Sequence, residues 1–127
     1  MIAAIIESFS GFGMIEGLLG SISKERVLIY ILARGEGYPR EIASFFDVPV
    51  TPIKNQMKQL EDSGILICRL VGRTRVYSLD PRCVYKAELE ALINRVLEFY
   101  PENLRVALLE NRRRPRKTDK PLKNQNF

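Results

Sequence analysis

Thr51, Lys54, Asn55, Lys58 and Gln59 fall within nine consecutive positions, and together they can hydrogen-bond a polyanion and read its edges. Asparagine and glutamine can bond adenine bidentately. Threonine can bond a base edge or a phosphate, and lysine can reach guanine or phosphate. Their spacing matters as much as their type. If Ile53, Met57 and Leu60 face inward, a helical turn of about 100° per residue sends Thr51, Asn55, Lys58 and Gln59 to the opposite side. Pro52, Lys54 and Gln56 then lie on the flanks, and acidic residues enter only at Glu61 and Asp62. An ordinary solvated helix face has a similar composition, so the flanking elements must decide.

Those elements agree. Glu41, Ile42, Ala43, Phe45 and Phe46 predict a short apolar helix, with Ala43 small where a second helix would approach. Pro49 breaks it, because proline has no N–H to donate and disfavours helical geometry at Val48. Thr51 is expected to cap the second helix with Pro52 at its first position, although Lys54 leaves the capping box incomplete. Gly64 stands where a left-handed residue would end it. Residues 65–70 and 75–79 are β-rich and flank a turn of Val71, Gly72, Arg73 and Thr74, which predicts a hairpin. Arg69, Arg73 and Arg75 cluster at its tip and flank. Such a wing would lie on the phosphate backbone or place an arginine in the minor groove.

The ordered set Gly20, Ser21, Arg26, Val27, Leu28, Glu41, Ile42, Ala43, then residues 60–66, Gly72, Arg73 and 76–79 resembles bacterial and archaeal winged helix-turn-helix transcriptional regulators, most of all the ArsR-like group. The resemblance covers about residues 18–85. It implies a mostly α fold with a small β-hairpin wing, extended by N- and C-terminal helices. It further implies a dimeric regulator that sets the helix from Thr51 in the major groove. Base-facing residues would be Thr51, Pro52, Asn55 and Lys58, flanked by Lys54 and Gln59, with Arg69, Arg73 and Arg75 on the wing.

The departures are chemical. Metal-sensing members use histidine, cysteine and carboxylate ligands, whereas this chain has no histidine and two cysteines far apart, Cys68 and Cys83. Two thiols lack the third and fourth ligands usual for zinc, so buried free thiols and a reducing cytoplasm are expected, with no metal or cofactor. An enzyme is not expected either, since there is no glycine-rich phosphate loop, nucleophile elbow or paired carboxylates. Two other readings compete: a winged-helix protein-interaction scaffold, and an RNA-binding protein that uses a basic tail.

That tail holds the charge. Arg112, Arg113, Arg114, Arg116, Lys117, Lys120 and Lys123 face only Asp119, a local +6 within a chain of +5, so the remainder is close to neutral. Residues 112–127 have too few apolar side chains to order themselves, and the tail is expected either to lie on phosphates or simply to solubilise. Apolar residues at the amino end are interrupted by Glu7, Ser8 and Ser10, so neither a signal peptide nor a membrane span is expected. Ser21 or Ser23 is expected to cap a helix over 24–34 that buries Val27, Leu28, Ile31 and Leu32.

Beyond Pro81, Val84, Leu89, Leu92, Ile93, Val96, Leu97 and Tyr100 predict a helix over about 82–99, and Pro101 starts another. The organisation expected is an N-terminal segment (1–20), a DNA-binding unit (21–81), C-terminal helices (82–111) and the tail. The first and third carry more apolar surface than the middle can cover. Hence a two-fold homodimer is expected, bound to double-stranded DNA at an inverted-repeat operator.

Overall fold

A computed structural model describes residues 13–110. Residues 1–12 and the basic positions Arg112, Arg113, Arg114, Arg116 and Lys117 lie outside the described residues. In chain order the elements are α1 (Glu16–Leu19), α2 (Ile22–Arg34), α3 (Pro39–Phe46), α4 (Val50–Asp62), β1 (Leu66–Val71), β2 (Thr74–Leu79), α5 (Lys86–Glu98) and α6 (Glu102–Glu110). The described chain is therefore mostly helical with one two-stranded antiparallel hairpin.

Helix α2 is the hub. Ser21 caps it, its hydroxyl accepting from the Lys24 N–H at 3.0 Å. The helix thus opens at Ile22, two residues before the expected start. Every side chain from Glu25 to Ile31 is buried, so α2 is covered on all sides rather than along the single stripe expected, while Leu32 is only half-buried. One flank meets α3 and α4, the other α5 and α6. Arg34, in its last turn, donates through Nε to the Leu108 carbonyl at 2.9 Å and through Nη2 to that of Ala107 at 3.2 Å. Both carbonyls belong to α6, so Arg34 ties the end of α2 directly to that helix.

The packing corrects the premise of the dimer argument. Ile93, Val96, Leu97 and Tyr100 of the expected stripe, together with Leu104 and Leu108, are buried in the same core as α2 of their own chain. Only Val84, Leu92 and part of Leu89 stay outside, and α5 starts at Lys86 rather than near 82. A turn holds the intervening residues, with the Arg82 N–H donating to Asp80 Oδ1 at 2.9 Å and the Cys83 N–H to the Asp80 carbonyl at 3.0 Å.

Helices α3 and α4 end in the same way. At the close of α4 the Ile65 N–H donates to the Leu60 carbonyl at 2.9 Å and the Gly64 N–H to that of Glu61 at 3.0 Å, with Gly64 at φ +81. Gly64 thus ends the helix as expected, by a Schellman motif. Asp47 does the same for α3, with φ 57 and the Val48 N–H donating to the Ala43 carbonyl at 3.0 Å. The start of α4 differs from expectation. Its cap residue is Pro49 and the helix begins at Val50, so Thr51 is its second residue and makes no side-chain cap. Pro52, now third, still sacrifices nothing, because the first-turn N–H groups have no helical acceptor.

A third backbone strand-like contact escaped the sequence pattern. Gly37 and Tyr77 exchange hydrogen bonds of 3.0 and 2.8 Å, tying the loop before α3 to β2. A Cβ at Gly37 would lie 2.9 Å from Cε1 of the buried Tyr30 ring. Gly37→Ala should therefore destabilise the fold by about 1–3 kcal/mol through overpacking. Urea unfolding checks this, and a midpoint equal to that of the parent chain would refute it.

Candidate nucleic-acid interface

Helix α4 sorts its side chains as the spacing requires. Ile53, Met57 and Leu60 are 0–3% exposed and lock one face to the core, whereas Thr51, Pro52, Lys54, Asn55, Lys58 and Gln59 are all exposed. The polar face is therefore not sealed against the rest of the chain. No side chain caps the amino end of α4 and no acid occupies its first turn, so the positive end of the helix dipole is left for an anion.

The hairpin supplies a second wall. Its register pairs Val71 with Thr74, leaving Gly72 and Arg73 as a two-residue turn with Gly72 at φ +64. A positive φ at the first turn residue is the place glycine fills in a tight hairpin. Paired residues share a face, so Leu66, Cys68, Leu70, Arg75, Tyr77 and Leu79 lie on one side of the ribbon. Arg69 lies on the other, with Val71, Thr74 and Val76.

This alternation separates arginines that the sequence reading had grouped. Arg75 faces α4 and helps line a groove of about 560 Å³ with Lys54, Asn55, Lys58, Glu61 and Tyr77. Its Nη1 donates to Cys68 Sγ at 3.5 Å across the ribbon. Arg69 turns the other way and donates to Glu36 Oε1 at 2.8 Å, beside a cleft of about 260 Å³ that includes Tyr38. Arg69 therefore braces the hairpin against the loop before α3. Arg73 is exposed at the tip.

The groove is cationic but not unopposed. Lys58 Nζ donates to Asp62 Oδ1 at 3.1 Å, one helical turn on, and this bond raises the ammonium above its ordinary range. Both side chains are well exposed, so the pair is weak and readily exchanged for another anion. Burial pushes the Tyr77 phenol up, which keeps it neutral at the groove floor. The sequence did not single out Tyr77, Glu36 or Tyr38 as site residues. Only the hairpin register brings Tyr77 to the groove, and the Gly37 pairing sets Glu36 and Tyr38 beside Arg69 on the opposite face of the ribbon.

Both cysteines are free and half-buried rather than buried in the core as expected. Cys68 sits on the ribbon face turned to the groove, where Leu70 and Arg75 are themselves exposed. Among the described residues no cluster of three or more histidine, cysteine or acidic side chains could hold a metal. None of the described helices is long and apolar enough to cross a membrane. Comparisons with protein-family models, curated proteins and solved structures found no match.

Proposed function

We propose that this chain is a sequence-specific double-stranded DNA-binding regulator of the winged helix-turn-helix kind. In this reading α3 and α4 form the helix-turn-helix, α4 enters the major groove, and the hairpin is the wing. One observation carries it. The polar face of α4 stands in solvent and forms a cationic groove with Arg75, while Ile53, Met57 and Leu60 anchor its back. A scaffold subunit would be expected to present acidic or apolar residues there instead.

Roles follow from position. Asn55 and Gln59 offer amide edges to bases, Thr51 and the uncapped amino end of α4 meet phosphate, and Lys54, Lys58 and Arg75 flank the groove as cations. Arg73 at the tip reaches the backbone or the minor groove. Two copies would address half-sites roughly 34 Å apart on an inverted repeat, and occupancy of a promoter would occlude polymerase. No catalytic step and no cofactor is needed.

Selection of bound fragments from a random duplex pool tests the proposal. Enrichment of an inverted repeat is expected. Equal binding of all duplexes, or preference for single-stranded RNA, would sink it. The ribbon geometry adds a sharper contrast. Arg75→Ala should weaken duplex binding and lower the salt dependence by about one counterion, as loss of a phosphate contact does. Arg69→Ala should leave the salt slope nearly unchanged, because Arg69 is held by Glu36. Equal slopes for the two variants in a salt titration would contradict the placement of Arg75.

A further inference from the structure

The tip of the hairpin is apolar where turns are ordinarily polar. Leu70 is 66% exposed and Val71 51%, directly before the turn of Gly72 and Arg73. Single apolar residues on a surface are ordinary, but these two are consecutive and stand at the end of β1 opposite the buried Leu66. Neighbouring strand residues point to opposite faces. Leu70 therefore stands beside Arg75 on the face turned to the groove, and Val71 beside Thr74 on the other. Each face of the tip is thus apolar, and the turn between them carries the exposed Arg73.

We infer that this tip is an apolar wedge for the minor groove of duplex DNA, with Leu70 and Val71 against the two walls and Arg73 toward the floor. Charge and chemistry select that occupant. Arg73 and Arg75 suit a polyanion, and the minor groove has the negative potential that draws in arginine. Its walls are deoxyribose, whose C–H surfaces meet an apolar side chain without stranding a polar group. Ribose would set a 2′-hydroxyl in the same place.

Resting on the duplex-binding reading, the wedge adds a deformation to it. Sheets stack about 10 Å apart with one layer of side chains from each, so a ribbon bearing side chains on both faces is about as thick. The minor groove of B-form DNA is only about 6 Å wide. It must open to admit the tip, and opening bends the duplex toward the major groove, by roughly 20–90° where proteins insert apolar wedges. The wing therefore favours sites with a flexible pyrimidine–purine step beneath it.

Energy transfer between dyes at the two ends of the selected duplex reads the bend, and anisotropy reads the affinity. The full parent chain should shorten the end-to-end distance on binding. Replacing both residues, Leu70→Thr with Val71→Thr, removes the apolar faces while keeping β-branched side chains that suit the strand. This double variant should bind at least tenfold more weakly and leave the duplex nearly straight. Its salt slope should match that of the parent, because no cation is lost. Should it fail to fold, the parent chain alone decides. The parent should bind a duplex with a pyrimidine–purine step under the wing severalfold more tightly than one with a stiff, narrow A-tract there, whereas a wing that inserts only arginine prefers the A-tract. Binding that leaves the duplex straight, a double variant with the parent's affinity and bend, or preference for the A-tract would each overturn the wedge and leave the DNA reading standing. Selection that enriches no duplex sinks both.

Discussion

Asn55→Ala should lower affinity for the selected duplex roughly tenfold to a hundredfold, a loss of about 1–3 kcal/mol, while the thermal midpoint of the protein stays unchanged. The size follows from what the side chain can do. An amide in the major groove donates and accepts at once, and its removal leaves an adenine edge desolvated without a partner. The absence of a stability effect follows from its position. Asn55 is exposed on the face of α4 opposite Ile53, Met57 and Leu60 and supports nothing inside the chain. Combining it with Lys58→Ala should reduce binding further and flatten the salt dependence, since Lys58 need only leave Asp62 to reach a phosphate. Fluorescence anisotropy with a labelled duplex measures both variants. Binding unaffected in the double variant would mean that α4 does not enter the groove.

The largest loss of stability is expected at Glu25. Its side chain is fully buried, yet it is not an idle charge. One carboxylate oxygen accepts the Met14 N–H at 2.9 Å and also the Tyr100 hydroxyl, and the other accepts the Ile15 N–H at 2.9 Å. Burial, reinforced by Glu25 itself, pushes the Tyr100 phenol far up, so it remains a donor at any ordinary pH. One carboxylate thus joins the segment before α1, the middle helix and the end of α5. Glu25→Ala would take the acceptor from two backbone donors and from the Tyr100 hydroxyl and leave a cavity. A cost of about 3–5 kcal/mol is expected, a large share of the stability of a domain this size. Glu25→Gln keeps two acceptor lone pairs and should lose less, and Tyr100→Phe, which removes the hydroxyl donated to Glu25 but keeps the ring, less again. Urea midpoints should fall in the order Tyr100→Phe, Glu25→Gln, Glu25→Ala. A midpoint for Glu25→Ala within error of the parent chain would refute the hub.

Neither Glu25 nor Arg34 attracted notice in the sequence, and the reason is physical. A carboxylate one turn into a helix looks like a favourable first-turn acid, and an arginine at a helix end looks like a favourable last-turn base. Both descriptions hold locally. What makes Glu25 a hub is Tyr100, and what makes Arg34 a clamp is the carbonyl of Leu108, partners 75 and 74 residues away. No local spacing encodes such distances. The same is true of Gly37, whose nearest claims are on Tyr30 and Tyr77.

The sequence by itself determined whatever depends on helical period, strand period or a single backbone dihedral. The inward stripe of Ile53, Met57 and Leu60 with its exposed opposite face, the break before α4, the left-handed Gly64 and the hairpin around Gly72 all came from such local rules. Tertiary structure alone decided which helix is surrounded, that α5 and α6 close over α2 rather than leaving their whole stripe free, and that Arg75 faces the groove while Arg69 turns to Glu36. Burial is a property of what arrives from elsewhere in the chain. A periodic pattern states that a face wants cover, and only packing settles what covers it.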